Sequence, residues 1–289
     1  MNKKIRQLLQ KINSEKILSK KFYPVWFFTN EKIGKSLPQL PDKENIKKIF
    51  GIGGAGDFAF TALSIFENLD EINICDIREV ANITIDFKIT LFKEFAFEEV
   101  LELFLNFKSA NKKQIYERIK EKISPTNKNF FDFIINNCKE NNFLLCLKKS
   151  GLWYKDSFWQ IKHRAAYLPY LTSETEYQSL KKKLKNINIY GGDFYDNLKL
   201  SQNIYYDLIY TSNILDSKFY CKQVDLYLKT VKDKLNKNGI LFIVTQAPKK
   251  MLNLIEEYGF RLFCKELHRF NALASLLGHY SFSFLFFKK

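Results

Sequence analysis

The sequence predicts an α/β fold on a seven-stranded, mostly parallel sheet, with an antiparallel last strand and a helical insertion between the second and third strands. Three observations predict it. Short apolar runs alternate with helical periodicities from residue 45 to the end of the chain, the pattern of strands joined by right-handed crossovers. The first run closes in Ile49-Phe50-Gly51-Ile52 and leads into a glycine-rich stretch, then into a helical pattern. The interval between the second and third runs is far too long for one crossover helix.

Seven runs rich in Ile, Val, Leu, Phe and Tyr, bounded mostly by Gly, Asn or Asp, read as strands: 46–52, 71–76, 187–190, 206–212, 240–245, 260–266 and 281–287. Helical spacing of apolar residues predicts helices over 58–68, 78–95, 172–185, 221–236 and 249–258. The last two strands lie close together, which suggests an antiparallel pair. The insertion runs from about 97 to 171 and reads as helices over 97–107, 112–122 and 130–141, then an aromatic-rich stretch over 152–170. Ser124-Pro125 and Ser150-Gly151 punctuate it. An insertion at the ligand end of a sheet is expected to cap the active site. Residues 1–44 form a helical and aromatic extension ahead of an α/β domain over 45–289.

Composition bounds the function. The chain has 289 residues, 46% of them hydrophobic and 27% charged, which predicts a globular protein with a substantial core. No run of uncharged apolar residues is long enough to cross a bilayer, and the N-terminus has no secretory signal, so a cytoplasmic protein is expected. Ile5, Leu8, Leu9 and Ile12 fall at helical spacing among lysines and an arginine, predicting a basic amphipathic helix. Cys75, Cys138, Cys146, Cys221 and Cys264 are scattered with no CxxC pair, which reads as free thiols and no metal site. The net charge of +15 favours an anionic partner, nucleic acid or membrane surface, but the lysines are spread as on an ordinary solvated surface.

The chemistry-bearing motif is Gly51-x-Gly53-Gly54-x-Gly56-Asp57, followed by Asp76-Ile77 at the end of the second strand. Glycines at a strand-to-helix turn let a ligand approach bare backbone, and an acid about 20 residues on holds a ribose. This pattern specifies a nucleoside ligand and leaves open a dinucleotide such as NAD or S-adenosylmethionine. Two later strand ends favour the latter. Gly191-Gly192-Asp193-Phe194 offers an acid and an aromatic where such enzymes hold adenine, although Asp193 equally suits a helix cap. The fourth strand closes in Thr211-Ser212-Asn213, small polar residues at the carboxyl edge, suited either to catalysis or to capping. Tyr23, Trp26, Trp153, Tyr154, Trp159, Tyr167 and Tyr170 are candidates to face a sulfonium, or else core packing. His163-Arg164 could meet a carboxylate.

Gly54-Ala55-Gly56-Asp57-Phe58-Ala59, Asp76-Ile77-Arg78-Glu79, Asp86-Phe87-Lys88 and Phe97-Glu98-Glu99-Val100-Leu101-Glu102-Leu103-Phe104, with Ser212-Asn213, resemble a known family. It is the family of the S-adenosylmethionine:diacylglycerol 3-amino-3-carboxypropyltransferase of betaine-lipid synthesis. The resemblance covers about 49–107 and 187–216. The family's Asn-Pro stands here as Arg78-Glu79, its Gln as Ala81, and its Asn after the loop acid as Phe58. The resemblance implies a Rossmann-like class I methyltransferase fold and S-adenosylmethionine as cofactor. It further implies that Asp57 and the loop glycines line the methionine part, Asp76 the ribose, and Asp193 with Phe194 the adenine.

The expected function is transfer of a methyl or 3-amino-3-carboxypropyl group from the sulfonium to an unidentified acceptor, a lipid or a small metabolite. Candidate catalytic residues are Ser212, Asn213, Tyr23, Trp26 and Tyr167; candidate cofactor contacts are Gly51, Gly53, Gly54, Gly56, Asp57, Asp76, Ile77, Asp193, Phe194 and Ser212. A lipid acceptor would bring peripheral contact with an anionic membrane at the inner face, and nucleic acid stays open as a partner. The alternatives are an NAD-dependent oxidoreductase, against which the lack of a Tyr-x-x-x-Lys pair after a suitable strand counts, and a non-catalytic binder of nucleic acid or anionic membrane on the same fold.

Overall fold

The structure is a computed structural model; it describes residues 28, 31, 33–40, 42–105, 112–137, 163–216, 224–245, 248–267 and 283–289. Strands β1 (Lys48–Ile52), β2 (Glu71–Asp76), β3 (Ile187–Gly191), β4 (Tyr206–Tyr210), β5 (Leu235–Thr245), β6 (Arg261–Leu267) and β7 (Ser283–Lys288) form one seven-stranded sheet. Its order is β3-β2-β1-β4-β5-β7-β6. β1 runs parallel to β2 and β4, and β4 to β5, while β7 is antiparallel to both β5 and β6. The seven-stranded sheet with a reversed last strand is the expected class I methyltransferase arrangement. β1 is central and its Ile49, Phe50 and Gly51 are buried, which explains why its sequence is apolar without alternation.

Contacts divide the chain into two compact units. The first comprises Met1–Lys35, Gly53–Ile65 and Asp76–Lys185, and its described elements are mostly helices. Its helices are α1 (Asp57–Ile65), α2 (Glu79–Glu94), α3 (Phe97–Leu105), α4 (Lys112–Ile119), α5 (Pro125–Asn137) and α6 (Glu174–Lys183). α2 is the hub of this unit: α4 and α5 pack on it, and Val80, Ile83, Phe87, Ile89 and Leu91 are among its many buried side chains. Asp86 on α2 accepts hydrogen bonds from Ser124 Oγ at 2.9 Å and Asn127 Nδ2 at 2.6 Å, which pins the start of α5. α5 begins at Pro125, earlier than the expected 130, because proline at the first helical position has its φ preset and loses no hydrogen bond there. α6 packs along α1, and Tyr177 on α6 donates to the Phe92 and Phe95 carbonyls that close α2. α6 is capped by Ser173, whose side chain accepts from the Glu176 N–H.

The second unit comprises Ser36–Ile52, Phe66–Cys75 and Asn186–Lys289 and carries the sheet with α7 (Phe194–Leu200), α8 (Val224–Lys234) and α9 (Pro248–Glu257). α7 packs on β1, α8 on β5 and α9 on β6. Phe50, Tyr206, Ile209, Tyr227, Leu241 and Ile255 belong to the continuous core between these helices and the sheet. Asp207 ties the start of the central strands together, accepting from the Lys47 and Lys48 N–H groups at 2.9 Å and from Asn236 Nδ2 at 2.6 Å. β5 starts at Leu235, earlier than the sequence suggests, because Leu235 pairs with Tyr206 ahead of a bulge over 236–239, in which Asn238 takes a left-handed φ of 67°, before the pairing resumes at Ile240.

Among the described residues no helix is long and apolar enough to cross a membrane, and no group of His, Cys, Asp and Glu could hold a metal ion. Cys75 is buried and is in no disulfide. The basic N-terminal helix expected around Ile5–Ile12 lies outside the described residues, as do Tyr23, Trp26, Trp153, Tyr154 and Trp159.

Candidate functional site

In the helical unit the chain turns from Gly53 into α1 through Gly54-Ala55-Gly56. Gly54 and Gly56 take φ of +50° and +82°, the left-handed region where a side chain is strained. The turn is closed by the Gly56 N–H donating to the Gly53 carbonyl at 2.7 Å, and the Gly56 carbonyl then starts α1 by accepting from Phe60 N–H. The two glycines differ in surroundings. A Cβ on Gly56 would meet Phe60 Cε2 at 2.9 Å and Ile85 Cγ1 at 3.0 Å, whereas a Cβ on Gly54 would meet no atom within 4 Å. Gly56 is therefore required by packing, and Gly54 presents open backbone.

Asp76, the last residue of β2, is buried and faces this turn. Its Oδ2 accepts the Gly54 N–H at 3.0 Å, and its Oδ1 accepts the Arg78 N–H at 2.8 Å. The Arg78 guanidinium lies against the same carboxylate, Nε to Oδ1 at 3.2 Å and Nη2 to Oδ2 at 3.4 Å. Asn82 Nδ2 donates to the Asp76 carbonyl and fixes the strand end to α2. Ile77, next to the acid, is 53% exposed, an apolar surface beside the carboxylate.

Asp57 is arranged otherwise than the resemblance implies for a residue lining a ligand. It opens α1, where a negative charge suits the helix N-terminus, and its side chain is fully buried. Its Oδ1 accepts from Lys88 Nζ at 2.9 Å and from the Tyr170 hydroxyl at 2.5 Å. Lys88 Nζ also donates to the Ala55 carbonyl at 2.9 Å and sits 4.5 Å from the Phe28 ring centroid. Burial pushes the Lys88 ammonium below its ordinary range, with Asp57 pulling the other way. Burial, then the charge and hydrogen bond of Asp57, pushes the Tyr170 phenol well above its ordinary value, so it stays a neutral donor. Tyr170, a candidate for a sulfonium-facing ring, is thus a buried partner of Asp57. Tyr167 is buried too, its phenol pushed up to about 12 by burial. The Arg164 Nε is buried without a hydrogen-bond partner, and His163 is exposed.

The remaining sequence-predicted residues belong to the sheet unit. Gly51 lies within β1, opposite Ile74 of β2 and Tyr210 of β4, so it serves the strand rather than the turn. Asp193 caps α7, its Oδ1 accepting from Tyr195 N–H at 2.8 Å and Asp196 N–H at 3.4 Å. Phe194 is buried, edge-on to Phe50 at 5.0 Å and stacked on Tyr227 at 5.4 Å, so its ring belongs to the core. Ser212 takes φ of 50°, rare for a non-glycine residue, and its carbonyl accepts from Val244 N–H at 3.0 Å. Asn213 is exposed in the turn that follows.

The helical unit therefore brings Gly54, Asp76 and Arg78 together at one point and Ala55, Asp57, Lys88 and Tyr170 together at another. Lys88, Arg78 and the Tyr170–Asp57 contact were not singled out as parts of the site by sequence. A lysine among the apolar positions of α2 was the available signal.

No protein-family model matches the chain, and no curated protein is significantly similar to it. Several solved structures align with the chain, each at a TM-score below 0.5. A protein from Streptococcus mutans assigned as an S-adenosylmethionine-dependent methyltransferase aligns at TM-score 0.44 and 9% identity over 89% of this chain and 48% of its own. This chain thus spans about half the length of that protein. The N-methyltransferase NodS from Bradyrhizobium japonicum aligns at TM-score 0.42 and 9% identity over 90% and 98% of the two chains. The rRNA methyltransferase aviRa from Streptomyces viridochromogenes aligns at 0.43 and 10% identity over 89% and 82%.

Proposed function

We propose that the chain is a transferase that binds S-adenosylmethionine and directs a methyl or 3-amino-3-carboxypropyl group from it to a lipid or small-metabolite acceptor. The observation that carries the reading is the carboxylate of Asp76, at the end of β2, holding the Gly54 N–H of the glycine turn. An acid and a bare turn placed together suit a nucleoside whose ribose hydroxyls and flexible tail are bound side by side. The residues fit such a ligand. Gly54 leaves room where a Cβ would project, and exposed Ile77 offers apolar contact to a flat base.

In this reading Asp76 accepts from the ribose hydroxyls, and the Arg78 guanidinium swings away to free its oxygens. The turn from Gly53 to Gly56 receives the amino-acid tail against its open backbone at Gly54, near the start of α1. The bound sulfonium supplies an electrophilic carbon and a neutral thioether leaving group. What the chain must supply is aim, because the carbon that reacts is the one held in line with the nucleophile. A base is needed only where the acceptor atom carries a proton. The resemblance to the aminocarboxypropyltransferase family favours transfer of the longer group.

Calorimetry of the protein with S-adenosylmethionine, S-adenosylhomocysteine and NAD tests the cofactor. Binding of the first two without NAD is the expected result, and tight NAD binding without them sinks the reading. Mass spectrometry of the spent cofactor assigns the group: methylthioadenosine reports aminocarboxypropyl transfer, and S-adenosylhomocysteine reports methyl transfer.

A further inference from the structure

We propose that Lys88 is a positioning residue for the glycine turn: its ammonium, held inside the helical unit, draws the Ala55 carbonyl and the Asp57 carboxylate inward, so that the turn meets its ligand with backbone alone. Lys88 has no exposed side-chain surface, and neither has Asp57. Its two acceptors, the Ala55 carbonyl and Asp57 Oδ1, both at 2.9 Å, belong to the residues on either side of Gly56. Gly56 is the position in the turn whose left-handed φ of +82° must be kept. One ammonium therefore holds a backbone carbonyl on one side of the strained residue and a side-chain carboxylate on the other, which a single packed apolar side chain could not do.

A second group supports the clamp from the opposite direction in sequence. Tyr170 lies 113 residues from Asp57 and donates to the same Oδ1 that Lys88 holds. Its ring is fixed edge-on against Phe60 and Phe92, both at 5.6 Å. Asp57 thus has its carboxylate oriented by a lysine on α2 and by a tyrosine just ahead of α6. A buried ion pair of this kind is a weak source of stability, since an apolar pair of similar volume commonly does as well. Its retention in the middle of α2 is explained by its two acceptors in the turn, the Ala55 carbonyl and the Asp57 carboxylate. A consequence is that Asp57 is already matched inside the protein and does not select a cationic group on the ligand.

The inference deepens the cofactor reading and rests on it for the identity of the ligand, but the clamp itself is measurable without one. Lys88→Met alone would strand the Asp57 charge in the interior, so the informative variant is the charge-neutral pair Asp57→Asn with Lys88→Met. Hydrogen exchange followed by mass spectrometry is read for the turn peptide over 53–58 and for β2, with the calorimetric affinity for S-adenosylhomocysteine measured on the same samples. The expected result is a folded double variant in which the turn amides exchange about tenfold faster, β2 is unchanged, and affinity falls about tenfold. Tyr170→Phe, which keeps the ring against Phe60 and Phe92, is the second variant, with an expected acceleration of about threefold confined to the turn. Turn amides that exchange at the parent rate in either folded variant overturn the clamp. A parent protein that fails to bind S-adenosylhomocysteine while its variants show the accelerated turn overturns the cofactor reading and leaves the clamp standing.

Discussion

Gly54 and Gly56 are two residues apart, both left-handed, and their replacement by alanine should damage different properties. In Gly56→Ala the new Cβ would sit 2.9 Å from Phe60 Cε2, 3.0 Å from Ile85 Cγ1 and 3.2 Å from Phe60 Cζ. Phe60 and Ile85 are both fully buried and have nowhere to move. Left-handed strain of about 1–2 kcal/mol adds to an overpacking cost of about 1–3 kcal/mol, less about 0.5 kcal/mol returned by restricting the unfolded chain. The net loss is about 2–4 kcal/mol, or about 3–7 °C in melting temperature for a chain of this size. In Gly54→Ala the Cβ meets nothing within 4 Å, so only the strain and the unfolded-state term remain, about 1 kcal/mol and a few degrees. That Cβ projects from the side of the turn assigned to the ligand, so affinity for S-adenosylhomocysteine should fall at least about tenfold, or 1.4 kcal/mol. Thermal scanning and calorimetry on the two purified variants check the pair. A Gly54→Ala protein that binds like the parent, or a Gly56→Ala protein that melts with it, refutes the reasoning from the turn geometry.

The remaining expectations are briefer. Asp76→Ala leaves the Gly54 N–H without its acceptor, so stability should fall by about 1–3 kcal/mol and S-adenosylhomocysteine binding by more than about tenfold; undiminished binding in calorimetry removes Asp76 from the site. Burial raises the phenols of Tyr167, to about 12, and of Tyr170, so their stabilising contribution is complete below the unfolded value of about 10 and is lost as pH rises toward the folded values. Lys88 acts in the opposite sense, since its lowered value adds stability as pH rises toward the ordinary lysine range. Burial raises the phenols of Tyr116, Tyr177 and Tyr206 as well, so against one lowered lysine the melting temperature should decline above about pH 10, and the phenolate absorbance should rise cooperatively with unfolding rather than gradually; gradual titration of every tyrosine in the folded protein would contradict their burial.

The sheet was largely legible because its strands are apolar runs that end at glycine, asparagine or aspartate. β2 spans Glu71–Asp76 as expected, and the reversed seventh strand followed from the closeness of the last two runs. α7 escaped because Phe194–Leu200 is only 7 residues long, too short for a helical period to declare itself, although Asp193 had the look of its cap. The strand-end acid and its glycine turn could be read from spacing, since the turn and the next strand are near in sequence. The Lys88–Asp57–Tyr170 cluster could not, because its Tyr170–Asp57 hydrogen bond joins residues 113 apart that only the tertiary fold brings together. The trace it left was a lysine between Phe87 and Ile89 in a helix whose neighbouring positions are nearly all buried, where no solvent was within reach of the charge.

Arg78 occupies the position where the resembling family has asparagine, and the geometry of Asp76 gives that change a consequence. A carboxylate offers about four lone-pair positions. Here Gly54 N–H, Arg78 N–H, Arg78 Nε and Arg78 Nη2 lie at 3.0, 2.8, 3.2 and 3.4 Å from its oxygens. A ribose diol brings two donors of its own, so two of the four must leave. The backbone donors are fixed by the turn and by the start of α2, while the guanidinium makes the two longer contacts and is 34% exposed. It is the group that yields. A partly exposed ion pair is worth about 0.2–1 kcal/mol, so Arg78→Ala should change stability by less than about 1 kcal/mol and strengthen S-adenosylhomocysteine binding by about two- to fivefold. Affinity that instead falls tenfold in calorimetry would make the guanidinium a ligand contact and refute the competition for Asp76.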